Sequence, residues 1–122
     1  MRGMVDFEGA LAGAEADAGV IPTEAARVIA TACADLRLSP EALASEGKRS
    51  GSLAVPLVKA LTEHVGRADA RAAGFVHYGS TSQDVLDTAL VLCLKPGLDD
   101  ADGVLAVAVR RLASMRDATP AS

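Results

Sequence analysis

The chain has 122 residues and a net charge of −4; half of it is apolar, 2% is aromatic, and Ala makes up about a fifth. That length allows one small domain with a modest core, and so Ala-rich and aromatic-poor a composition favours closely packed helices over a sheet sandwich. The acidic balance and the lack of any Lys/Arg run argue against a nucleic-acid or anionic-membrane partner, and no apolar run, Ala89 to Leu94 included, is long enough to span a bilayer.

Gly3 to Ala18 reads as the first helix, with Met4, Phe7, Leu11, Ala14 and Ala18 on its apolar face and Glu8 and Glu15 directed elsewhere. Gly19 is its C-cap, and Thr23 is the next N-cap. Glu24 to Leu36 is the second helix, turning Ala25, Val28, Ile29, Ala32 and Leu36 inward and forming a hairpin with the first. Ser39-Pro40 places a cap and a first-turn proline before a short helix, Pro40 to Glu46. GKRSGS, residues 47–52, reads as a polar connector in which Lys48 and Arg49 form a solvated basic pair. A fourth helix runs from about Val55-Pro56 to Val65, burying Val58, Leu61 and Val65 and leaving His64 as a surface histidine near its end. Asp69 to Ala73 is a short helical turn. No signal-peptide core is present near the start, where Asp6 and Glu8 interrupt the apolar residues. Cys33 and Cys93 have no metal-type spacing and read as reduced core thiols of a cytoplasmic protein; no metal or cofactor is expected.

The density of side-chain donors and acceptors peaks in FVHYGSTSQDVLDTALVLCL, residues 75–94. Thr81 with Asp84, or Ser80 with Gln83, has capping-box spacing and starts a long helix, from Ser82 to about Arg116. The first N–H groups of such a helix lack internal partners, and its dipole makes that end mildly positive, so hydroxyls beside it form a cradle for a carboxylate or phosphate. Taken alone, Ser and Thr here would be ordinary caps and His77 a hydrogen-bonded surface histidine. Further along, Leu94, Leu98, Ala101, Leu105, Ala108, Leu112 and Met115 recur at alternating spacings of four and three, a heptad seam. Pro96, followed by Gly97, is expected to kink or break the helix, and the tail, Ala118 to Ser122, is expected to fray. One seam of that length cannot cover itself within so small a chain, so it needs neighbours: further copies, or further chain.

HYGSTSQDVLDTALVL resembles the first signature region of the fumarase/aspartase superfamily, H-(aromatic)-G-x-T-S-(S/Q)-D-V-x-D-T-A. Within it the chain looks like the branch holding adenylosuccinate lyase and 3-carboxy-cis,cis-muconate cycloisomerase. Two features resemble the cycloisomerases: Gln83, where the lyases usually carry Ser, and the segment Leu53 to Leu61, which lacks the lyases' His-Asp pair and fits G-(N/S)-x-x-(I/V)-P-L-V. The resemblance implies an all-α fold with an N-terminal helical domain, residues 1–80, and the first long helix of a central bundle, residues 81–122, in a homotetramer. It covers only the N-terminal part of the family pattern, and MVDFEGALAGAEADAGVIP looks like that pattern's second element.

The reaction it implies is lactonisation of 3-carboxy-cis,cis-muconate, in protocatechuate breakdown, through an aci-carboxylate intermediate; Thr81, Ser82, Gln83 and Ser80 would bind the polycarboxylate, and His77 would act as general acid or anion binder. Asp84 and Asp87 read as structural. Two alternatives stay open, a succinate-type lyase such as adenylosuccinate lyase and a non-catalytic helical scaffold. The family's other two signature regions have no counterpart here, so this stretch alone is expected to be inactive.

Overall fold

Local signals mark some of the helix ends and not others. The computed structural model describes residues 1–119, and among these the chain forms no strand. Its elements are α1 (Arg2–Asp17), α2 (Thr23–Asp35), α3 (Pro40–Ser50), α4 (Ala54–Ala68), a 3₁₀ turn (Ala72–Phe75) and α5 (Ser82–Ala118), so the all-α expectation holds. At the end of α1, Gly19 sits at φ 73°, the N–H of Val20 donates to the carbonyl of Glu15 at 2.7 Å and that of Gly19 to Ala16 at 3.0 Å. This is the two-bond closure that a glycine beyond a helix end permits. Ser39 caps α3, its hydroxyl accepting from the N–H of Ala42 at 3.2 Å, with Pro40 in the first turn. Thr23, by contrast, is the first residue of α2 and makes no capping bond; the cap position falls to Pro22.

The polar stretch expected as a connector is largely helical. α3 continues through Ser50 and ends at Gly51, φ 74°. Packing explains the extension: Gly47 is buried, and a Cβ there would lie 2.6 Å from Cδ2 of Leu53. Arg49 pairs with Glu46 at 2.7 Å, an exposed pair one turn apart that supports the added turn.

The chain divides into two compact units, Met1–Leu90 and Val91–Ser122. In the first, α1 packs on α2 and α4, α2 on α4, α3 on α4, and the 3₁₀ turn against α2 and α4. Ile29, Leu57, Leu61, Val65 and Val85 are fully buried at the centre. α2 faces inward as its spacing predicts. α1 does not: its buried residues are Met4, Val5, Glu8 and Ala12, whereas Ala14 and Ala18 are exposed. A methyl group contributes little burial free energy, so an Ala-rich helix signals its inner face weakly. The first turns of α5 belong to this unit too, and a Cβ at Gly3 would lie 3.3 Å from the backbone of Ala89. Glycine is what lets the two backbones approach there.

The second unit is the remainder of α5, which stays helical through Pro96 and so is not broken there. Proline deprives the carbonyl of Leu92 of its donor; Leu92 and Pro96 are both exposed, so water can take that place. The seam residues Leu94, Leu98, Leu105, Leu112 and Met115 are 53–66% exposed. Of the tail expected to fray, residues 120–122 lie outside the described residues. No described helix is long and apolar enough to cross a membrane. Cys33 is buried, its thiol pushed up to about 11 chiefly by burial, while Cys93 is exposed on α5 and is not a core thiol.

Candidate active site at the start of α5

The turn before α5 is held by its own polar groups. Thr81 and Asp84 form the capping box that their spacing predicts: the hydroxyl of Thr81 accepts from the N–H of Asp84 at 3.2 Å, and the Asp84 carboxylate accepts from the N–H and the hydroxyl of Thr81, both at 2.8 Å. These bonds hold the exposed Asp84 carboxyl below its usual range, so it is ionised at the helix start. The Ser80 hydroxyl reaches the same oxygen at 3.5 Å. One turn on, the amide of Gln83 donates to Asp87 at 2.6 Å. Thr81 and Gln83 are exposed; Ser80 and Ser82 are half-buried.

The same turn includes the sole non-glycine residue at positive φ among those described, His77 at φ 56°, followed by Gly79 at φ 66°. Holding a histidine there costs about 1–3 kcal/mol, so surrounding structure must enforce it. Beside it, the rings of Phe75 and Tyr78 lie 5.8 Å apart. The chief tie comes from 69 residues away: Nδ1 of His77 lies 2.7 Å from Oε1 of Glu8 on α1. The Glu8 side chain is 1% exposed and that of His77 is 17% exposed. Glu8 was expected to point away from the core; it is in fact one of the most enclosed residues, and its Oε2 is buried without a partner. Burial pushes the Glu8 carboxyl up, against a downward pull from the His77 bond.

Glu15, two turns along α1, is a second departure. One of its oxygens is buried and unpartnered, and the other would lie 3.9 Å from a Cβ added at Gly79. Its carboxyl is also raised, first by burial, with His77 opposing. Two acidic side chains of α1 thus underlie the turn that carries His77. Periodicity alone missed them, although Glu8 lies four residues from both Met4 and Ala12, which are buried on the same face.

The raised carboxyls give stability a pH dependence. Where the folded chain holds a proton more tightly than the unfolded one, stability is greatest below the unfolded value, ordinarily 4.5 for Glu, and falls as pH rises through the raised folded value. Glu15→Gln is expected to gain stability on the parent at about pH 7 and not at about pH 4. Urea unfolding at the two pH values measures this; an equal difference at both would refute it. Asp84 and Glu41 are shifted the other way and lose their contribution in acid, in parent and variant alike.

Two cavities, of about 220 and 270 Å³, open elsewhere on the first unit, and no residue of the turn lines either. His64 is half-buried in the wall of the larger, with Arg27 and Asp35, rather than freely exposed. Among the described residues no group of three or more His, Cys, Asp or Glu is placed to hold a metal ion.

No family model matches the chain. It is 50% identical over 115 residues, 94% of its length, to a 3-carboxy-cis,cis-muconate cycloisomerase of Bradyrhizobium diazoefficiens, 26% of which it covers. Its fold matches a 3-carboxy-cis,cis-muconate lactonizing enzyme from Pseudomonas putida with a TM-score of 0.78 and 45% identity, over 84% of this chain and 23% of that one. A fumarate lyase from a Mesorhizobium species matches with a TM-score of 0.71 and 36% identity, over 94% of this chain and 25% of that one. The chain therefore spans about a quarter of the length of the relatives it matches. Its turn-to-helix motif, its all-helical fold and these likenesses agree: the chain belongs to the fumarase/aspartase superfamily.

Proposed function

We propose that the chain is the N-terminal part of an enzyme that lactonises a carboxylated cis,cis-muconate, working as a cytoplasmic homotetramer in the breakdown of aromatic compounds. The observation that carries this reading is the 50% identity to a 3-carboxy-cis,cis-muconate cycloisomerase, maintained over 94% of the chain. In this reading residues 1–80 are the N-terminal helical domain and residues 81–122 the first long helix of the bundle.

The chemistry asks for anion stabilisation. When a carboxylate oxygen adds across a double bond conjugated to a second carboxylate, negative charge moves onto that second group as an aci-carboxylate. Protonation of the adjacent carbon then completes the lactone. Fixed donors that meet the charge as it develops lower the barrier most. The start of α5 supplies the N–H groups of Ser82 and Gln83, which no helix bond can use, with the hydroxyls of Ser80 and Ser82 and the amide of Gln83 beside them. Thr81 shares its hydroxyl with Asp84, so its part is to shape the cradle as well as to line it. His77 stands at the edge of the turn as the proton donor or as a further anion contact. The remaining catalytic groups come from other segments of the whole enzyme, so the 122-residue chain by itself does not turn over.

The likeness to a fumarate lyase favours one second reading, elimination from a succinate-type adduct on the same carboxylate cradle. Assaying the intact gene product on both substrate types separates the two. The expected result is loss of the muconate diene absorbance on 3-carboxy-cis,cis-muconate, with kcat/KM at least about 100-fold above that for releasing fumarate from adenylosuccinate, a gap of about 2.7 kcal/mol in transition-state binding. The reverse preference overturns the lactonisation reading.

A further inference from the structure

The Glu8–His77 contact is unexplained as a stabilising feature. A carboxylate among Met4, Val5 and Ala12, 1% exposed, is costly to bury, and a well-packed apolar residue there would be neutral or better for stability. Its second oxygen is left without a partner, unlike the fully satisfied polar networks that rigidify cores. The histidine it meets is held in the left-handed region, a further cost. Two local penalties meeting at one hydrogen bond mark a functional constraint.

We infer that Glu8 is the positioning residue for His77: its carboxylate accepts a hydrogen bond from Nδ1–H, with N and O 2.7 Å apart, fixes the imidazole in the Nδ1–H tautomer and leaves Nε2 to face a ligand. The contribution to function rests on the proposed role of His77; the tautomer assignment does not. In water a neutral imidazole carries its proton mainly on Nε2, so a buried acceptor at Nδ1 reverses the ordinary preference. A bare Nε2 is an acceptor. It takes up a proton from solvent and delivers it, in which form both ring nitrogens donate and Glu8 neutralises the added charge. His77 thus combines a left-handed backbone with a ring set against α1, and Glu15 adds a second acidic group under the same turn.

The test is the ring's own spectrum. The sequence has two histidines, so in the 15N-labelled full chain His64→Gln assigns the His77 imidazole at once. At about pH 8, above the ordinary imidazole range, long-range 1H–15N correlations distinguish the tautomers. The parent is expected to show the Nδ1–H pattern. Glu8→Gln keeps an acceptor oxygen and is expected to keep that pattern; Glu8→Leu removes the acceptor and is expected to move His77 to the Nε2–H pattern. An Nε2–H pattern in the parent overturns the inference whether or not either variant folds, and so does an unchanged pattern in Glu8→Leu. In the intact enzyme Glu8→Leu is expected to lower kcat by at least about tenfold, more than it alters KM, with partial recovery in Glu8→Gln. A shifted tautomer with unaltered kcat upholds the placement of Glu8 and overturns the working role of His77, so the two failures are told apart.

Discussion

His77→Asn in the intact enzyme is expected to leave the fold in place and to lower kcat by about 10²- to 10⁴-fold, the range of a lost general acid or base. The substitution is chosen on geometry. Asn tolerates the left-handed backbone that His77 adopts at φ 56°, and its side-chain amide can still donate to Glu8 as Nδ1 does. What it lacks is any counterpart to Nε2. Thermal unfolding close to the parent, together with lost turnover, would place the effect on that nitrogen. Retained turnover would reduce His77 to a prop that satisfies the Glu8 carboxylate.

The second large effect is expected at the other end of α5. Leu105→Asp should shift the protein to a smaller species in sedimentation or light scattering, because it places an unpaired charge in the proposed seam. Leu105 is 61% exposed in the single chain, as are its seam neighbours Leu98 at 63% and Leu112 at 65%. Covering each such side chain is worth about 1.5–3 kcal/mol, and every 1.4 kcal/mol lost weakens association about tenfold. Asp100→Ala, two residues along from Leu98 and off the heptad positions, is the control and should leave the mass unchanged. An unchanged mass for Leu105→Asp would mean that the exposed leucines are not what binds copies together.

The elements written into short stretches are the ones that could be read directly. The Thr81–Asp84 cap, the Ser39-Pro40 start and the Gly19 stop each lie within a few residues of the helix end they govern, so their spacing predicts their geometry. Where a local signal had two meanings, it misled. GKRSGS has the composition of a connector, yet Gly47 serves close packing against Leu53 and the segment is helical through Ser50. Pro96 is a helix breaker in isolation, yet on an exposed helix its lost hydrogen bond can be made up by water. Thr23 has the chemistry of a cap and none of its bonds.

The candidate site divides along the same line. Its hydroxyls and amides are contiguous, residues 80–83, and were legible as a set. Its acidic floor was not, because Glu8 and Glu15 lie on an Ala-rich helix whose hydrophobic spacing marks its inner face only weakly. The sequence by itself determined an all-helical chain, the capped entry into α5, the heptad stripe beyond it and the superfamily they resemble, since each follows from residues within one or two helical turns of each other. Only the tertiary structure decided that α1 turns Glu8 inward against Nδ1 of His77, because that contact joins residues 69 apart and its cost in burial is met by packing no local pattern encodes.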